Sequence, residues 1–170
     1  MLAESLPEKS NALALMDGAL ILWGLGSKDY PDFVVDTFLT QGQLRHLDRM
    51  RRQNGTKKLA VASYISFPRS NDVMNTIRIA ACPHEFADCG RFCDTIAPGK
   101  RECDAVAGVS DRELFYNLLA EGERSALYES TSSLVKKHYG AHAVDFFYLR
   151  LDDEIARIES LDTGNTLGPM

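Results

Sequence analysis

Asp17 stands alone in the apolar run Ala12 to Leu25, ALALMDGALILWGL, with Gly18 beside it. A run this apolar and free of Pro reads as a buried strand, or as two strands meeting at Asp17–Gly18. An ionised carboxylate buried without a partner is costly or shifts its pKa. An acid at this place therefore faces a cation, a hydrogen-bond network or a metal. The alternative is a hairpin turn, because Asp-Gly is a strong hairpin signal.

The cysteines form the second grouping. All four lie in one segment, Cys82, Cys89, Cys93 and Cys103, spaced C-x6-C-x3-C-x9-C. Four thiolates are the right number for a closed tetrahedral site, although the spacings are not the common paired knuckles. His84 could replace one ligand. Zinc is the default guest, and an iron–sulfur cluster uses the same ligands. Either would be structural, tying down a segment rich in Gly, Pro and Asp that has no core of its own. The alternative is a set of unliganded thiols in a loop.

Acids and arginines make up the rest. Asp111 follows Ser110 in the first turn of a helix, where complementing the helix dipole is its plain role. Glu121 and Glu123 flank Gly122 in AEGERSALYES, and Arg124 follows at once. That turn is either a concentration of polar function or a solvated loop. Arg157 and Glu159 in ARIE share one face of a strand, and a surface ion pair explains them as well as a site does. In YISFPRS, a strand ends in Pro-Arg-Ser at a helix N-terminus. Arg69, the Ser70 hydroxyl and free helix amides make an anion-binding corner suited to phosphate. An ordinary N-cap beside a surface Arg is the simpler alternative.

The elements that must position these groups follow from pattern. Residues 1–11 read as a mobile leader, and Gly24 to Asp29 as a turn. Asp32–Leu39 has the content of a strand. Gln43–Arg52 reads as a helix with Leu44, Leu47 and Met50 on one face, ended by Asn54–Gly55. Lys58–Phe67 is a strand stopped by Pro68. A helix capped by Ser70 or Asn71 runs to about Ala81, with Val73, Ile77 and Ala80 inward. Ser110 with Glu113 predicts a capping box opening a further helix, whose core face carries Leu114, Phe115, Leu118 and Leu119. Ser130–Tyr139 reads as a short helix. Val144–Leu151 and Glu154–Glu159 read as strands joined at Asp152–Asp153. The tail 162–170 has no period and reads as disordered. The whole is an α/β mix in one domain, residues 12–161, with a Cys-rich insertion at 82–103.

Composition bounds the function. The 170 residues are 45% hydrophobic and 25% charged, which is ordinary for a globular domain. No apolar run is long enough to span a membrane, and the polar, acidic start is not a secretory signal, so the expectation is a cytoplasmic protein. A net charge of −5 argues against a fieldwide attraction to nucleic acid and leaves room for a local basic strip.

Several stretches coincide with one family. MDGALILW, LAVASYISFPRSNDVMNTIRIAACP, the four-cysteine segment, SDRELFYNLLAEGERSALYESTSSL and FFYLRLDDEIARIE stand in this order over most of residues 12–159. The chain resembles the NurA family of DNA repair nucleases in its bacterial, cysteine-containing form. The resemblance implies a ribonuclease-H-like mixed sheet with flanking helices and a manganese- or magnesium-dependent active site. It implies single-strand endonuclease and 5′-to-3′ exonuclease activity in the resection of broken DNA ends. It also implies partnership with a HerA-type hexameric translocase, and a homodimer. Asp17 falls on the family's first-strand catalytic acid and metal ligand, and Asp111 and Glu123 in its next acidic block. Arg69, Ser70 and Arg124 would hold backbone phosphates.

The departures shape a second reading. Ala19 stands where the family usually has Ser, the long N-terminal helical part is missing, and no late acid and His follow ARIE. The expectation is a truncated member at both ends. It is either still a nuclease or a non-catalytic, metal-stapled module binding nucleic acid or a partner protein.

Overall fold

The computed structural model describes residues 2–26, 30–53 and 57–161. Of the turn expected at Gly24 to Asp29, residues 24–26 are helical, and residues 27–29, the cap expected at Asn54–Gly55 and the tail from Asp162 lie outside the described residues. A single turn of helix, α1 (Leu2–Ser5), precedes strand β1 (Asn11–Asp17). Two short helices follow, α2 (Trp23–Gly26) and α3 (Asp32–Val35). The chain then continues through a π-helical stretch, Asp36–Leu44, into α4 (Arg45–Gln53). Strand β2 (Lys58–Ser66) and helix α5 (Asp72–Ala80) come next. The cysteine segment holds α6 (Cys89–Phe92) and a 3-10 turn, Glu102–Val106. Helix α7 (Asp111–Leu118), strand β3 (Tyr128–Glu129) and helix α8 (Ser133–His138) lead to strands β4 (Val144–Leu151) and β5 (Glu154–Leu161).

The five strands form one mixed sheet in the order β1-β2-β5-β4-β3. β1 runs parallel to β2, from Asn11 opposite Lys58 to Asp17 opposite Tyr64. β3 runs antiparallel to β4. Two residues, Asp152 and Asp153, join β4 to β5 as a hairpin. The chain divides into two compact units. One holds the described residues up to Ser66, Ser125–Tyr148, and the described residues from Arg157 onward; the other holds Phe67–Arg124 and Leu149–Ala156.

Two expectations are corrected here. Asp32–Leu39 is helical and not a strand. Parallel neighbours such as β1 and β2 cannot be joined by a tight turn, and their crossover is usually helical. That demand overrides the β-branched and aromatic content of DFVVDTFL. The run Ala12–Leu25 is likewise neither one buried strand nor a hairpin. Its first half is an edge strand, with Leu13 64% and Leu15 61% exposed. Gly18, at φ +91°, turns the chain out of the strand. Burial begins only after it, at Leu20 and Ile21, which join Leu39, Val61, Tyr139 and Val144 in the core of the first unit.

The second unit buries Met74, Phe115, Ile155 and Ala156. On α5, Ile77 is 37% exposed, and on α7, Leu118 is 66% exposed, so their expected core faces are only partly covered. The capping box on α7 is present. Ser110 Oγ accepts from Glu113 N–H, and a Glu113 carboxylate oxygen accepts from the Ser110 N–H and hydroxyl. At the other end of α7, the Arg150 guanidinium donates to the Leu119 carbonyl at 2.9 Å. It also lies 4.1 Å from the centre of the Tyr116 ring, so one cation closes the helix's negative end.

Ser110→Ala is expected to destabilise the protein by about 1 kcal/mol in chemical denaturation. The Ser110 N–H and hydroxyl also hold the Glu113 carboxyl below its ordinary range. A lowered folded-state pKa contributes stability above the unfolded value and loses it as pH falls through the folded one. Acidification from about pH 6 to about pH 3 should therefore lower the melting temperature of wild type more than that of Glu113→Gln. Parallel curves for the two proteins would exclude the linkage.

Candidate functional site

Asp17 ends β1 and is exposed. Among the described residues its carboxylate meets no hydrogen-bond donor or cation. It therefore has open lone pairs at the carboxyl end of a parallel strand, where open α/β sheets bind their ligands. The backbone beneath it is fixed on both sides. Gly18 N–H donates to Tyr64 O at 3.1 Å, extending the ladder by one rung. Beyond Ala19, the Leu20 peptide is held at both ends. Its N–H donates to Glu159 Oε2 at 2.9 Å. Its carbonyl accepts from Gln43 Nε2 at 2.6 Å and from the Tyr139 hydroxyl at 3.2 Å. The same hydroxyl accepts from Leu22 N–H at 2.8 Å. Burial pushes the Tyr139 phenol up, which keeps its proton in place to donate.

Glu159 and Arg157 are not the surface pair that alternation alone allowed. They are 0% and 2% exposed. Arg157 Nε donates to Glu159 Oε1 at 3.0 Å, and the guanidinium lies 3.8 Å over the Phe146 ring. No spacing rule marks these residues. The available signal was a charged pair inside β5, which the strand order makes the middle of the sheet.

In the second unit, Asp111 is wholly buried. Its two carboxylate oxygens accept from Met74 N–H at 2.7 Å and Val73 N–H at 3.2 Å. α5 receives no side-chain cap from its own Asn71, so Asp111 caps it from α7. At the corner expected to bind an anion, the helix amides, read as free, are engaged by a carboxylate of the chain itself. Around it, Arg69 is exposed and Pro68 is buried. Phe67 is 54% exposed at φ +46°, a strained value for a bulky residue, with Arg112 5.3 Å from its ring centre. Ser70 is half-buried. Glu123 and Arg124 are exposed, and Glu123 Oε2 accepts from Ala120 N–H at 2.8 Å. Backbone bonds between Gly122 and Arg150 and between Arg150 and Glu123 seat this turn on β4.

The four cysteines are free thiols gathered about Cys93. Burial raises the Cys93 thiol's pKa, and Cys89, Cys82 and Cys103 each raise it further, against a lowering by Arg101. The segment has more order of its own than its composition suggested. Asp88 caps α6, and His84 stacks on Phe92 at 4.5 Å. Asp104 accepts from Gly99 N–H and Arg101 N–H and pairs with Arg78. The thiols are neighbours and have not converged: among the described residues, no three His, Cys, Asp or Glu side chains form a metal-holding group. Asp17 lies in the first unit, and Asp111, Glu123 and the cysteines in the second.

The mixed α/β sheet presents the exposed Asp17 carboxylate at the end of its parallel edge strand. The family model of the NurA domain matches residues 1–165, and the chain belongs to that family. This is a nuclease family of DNA repair, whose members are generally metal-dependent and act on DNA. No curated protein matches the chain, and no solved structure does. Among the described residues no helix is long and apolar enough to cross a membrane.

Removing Asp111 leaves two helix amides without their acceptor. Asp111→Ala is expected to lower stability by about 2–4 kcal/mol, and Asp111→Asn by less, since an amide oxygen still accepts one bond. Chemical denaturation measures both. A loss below about 0.5 kcal/mol for the Ala variant would rule out the capping role.

Proposed function

We propose that this chain is a metal-dependent deoxyribonuclease, cutting single strands internally and degrading ends 5′-to-3′, with Asp17 as its metal ligand. The observation that carries the reading is the exposed, unpartnered Asp17 carboxylate on a backbone pinned at Gly18 and Leu20. A carboxylate with open lone pairs and fixed position suits a hard divalent cation, Mn2+ or Mg2+. When bound, such an ion supplies the Lewis acidity that activates water and offsets charge on the scissile phosphate. The family resemblance extends the reading to a ribonuclease-H-like core, to a HerA-type translocase as partner and to a homodimer.

The remaining acids divide by environment. Glu123 is exposed and available as a second acid. Asp111 is buried and supports function by holding α5 and the corner that precedes it. That corner presents Phe67, Arg69 and Arg112, an aromatic face with cations, the chemistry that binds unpaired bases and backbone phosphate. Arg124 adds a further exposed cation in the same unit. The four cysteines form the right donor set for zinc or an iron–sulfur cluster, and closing around an ion needs the thiols about Cys93 to draw together. The second reading is a non-catalytic module that binds nucleic acid or a partner protein.

Asp17→Asn decides between the readings. It keeps the shape and removes the charge. Wild type should digest labelled DNA with manganese and gain melting temperature from it by mass action, and the variant should do neither. An Asn variant that still cuts would remove Asp17 from the site. A wild type that binds DNA without cutting it under any divalent ion would establish the module.

Protein purified without tags or added metal is expected to carry about one equivalent of zinc or of iron cluster on its cysteines. Elemental analysis checks this. Intact thiols with less than about a tenth of an equivalent of either would overturn it.

A further inference from the structure

We propose that Glu159, held by Arg157, is a positioning residue for Asp17: it fixes the bend that follows β1 and so sets where the Asp17 carboxylate stands. The inference rests on the reading of Asp17 as a metal ligand. It assigns work to a buried charged pair that the proposed chemistry does not otherwise use.

Asp17 is the last residue of an edge strand. It has a partner strand on one side only, and beyond Gly18 the ladder ends. Such a strand end frays unless something outside the ladder holds it. Leu20 is where it is held. Its amide reaches Glu159 on β5 at 2.9 Å, across 139 residues of sequence. Its carbonyl reaches Gln43 and Tyr139. Only Ala19 lies between this anchor and the last rung of the ladder, so the turn carrying Asp17 has fixed ends.

The Leu20 amide could have been satisfied more cheaply. A backbone carbonyl or a Ser would accept the bond without bringing a charge inside. A carboxylate here requires Arg157 to neutralise it, the Phe146 face beneath the guanidinium, and the Tyr148 hydroxyl within 3.4 Å of it. Buried ion pairs rarely add stability over well-packed apolar residues and are best attested as devices that fix geometry. A charge-assisted bond is also short and directional, which suits locating one peptide. Groups that hold a metal ligand in place typically alter metal affinity 10- to 100-fold when replaced.

Two variants of the full chain isolate the bond. Arg157→Met with Glu159→Leu removes both charges and the acceptor. Arg157→Met with Glu159→Gln removes both charges and keeps an amide oxygen for Leu20 N–H. Manganese alone is titrated into each protein without DNA, followed by melting temperature, with the melting temperature in chelator as the measure of fold. Amide hydrogen exchange at Leu20 reports the anchor directly. The Leu variant should bind manganese at least about 10-fold more weakly than wild type and exchange Leu20 N–H faster. The Gln variant should recover most of both, at a chelator melting temperature matching the Leu variant.

A purely structural pair would instead move the chelator melting temperature and leave manganese affinity alone, and that result overturns the proposal. So does a Leu variant that binds as tightly as wild type, which leaves Asp17 as ligand intact. If the Leu variant does not fold, the comparison is carried by Gln against wild type: unchanged manganese affinity and Leu20 protection support the acceptor role, and a 10-fold loss despite an intact fold overturns it. If wild type itself shows no manganese response while Leu20 N–H is protected, it is the reading of Asp17 that fails, and the positioning role falls with it.

Discussion

Arg157 and Glu159 place a full positive and a full negative charge in the central strand of the sheet, both out of water. Desolvating two ions is expensive, and their mutual attraction alone rarely offsets it. The balance here comes from neighbours. The Phe146 face lies under the guanidinium, Tyr148 meets its far side, and Leu20 N–H meets the carboxylate. The consequence is geometric. A slip of β5 by one residue would turn both charges to the opposite face and leave them without these partners. The pair therefore fixes the register of β5 against β4, and the same stroke fixes the bend after β1.

The crossover between β1 and β2 answers a related demand. It must return the chain to the start of a parallel neighbour while delivering Gln43 to the Leu20 carbonyl and burying Leu39 and Leu44. Five residues in an α-helix span one turn plus about 140°, which would send those two leucines to different faces. The π-helical stretch Asp36–Leu44 closes its rings five residues apart, so Leu39 and Leu44 stack toward the core. The widened turn is thus explained by packing.

Local rules were legible in the sequence. The bounds of β4, the Asp152–Asp153 turn, the strand after Lys58 and the Ser110–Glu113 box all follow from neighbours within a few residues. Helix α8 opens at Ser133 in place of the expected 130, with Ser132 Oγ accepting from Val135 N–H. What sequence could not supply is partner identity at long range. Asp32–Leu39 looked like a strand because its composition outweighed a crossover that only the sheet order reveals. Asp111 looked like a dipole-complementing acid on its own helix, and its amides lie on another, 37 and 38 residues away. Arg157 and Glu159 looked solvated because nothing in ARIE says that β5 is central.

These placements sort the acids by one physical criterion. A carboxylate wholly buried against two amides, as Asp111 is, has its charge offset by a helix N-terminus. A carboxylate buried against a guanidinium and an amide, as Glu159 is, has its charge offset in the same way. Asp17 differs on both counts: it is exposed and meets no donor among the described residues. Charge that is fixed in position and left unbalanced by the protein is available to something the protein binds. The two buried acids matter to that availability through the backbone. Glu159 holds the bend after Asp17, and Asp111 holds the start of α5 behind the Phe67–Arg69 corner. The sequence places acids at all three positions, and the fold buries two of them against backbone amides and leaves the third exposed.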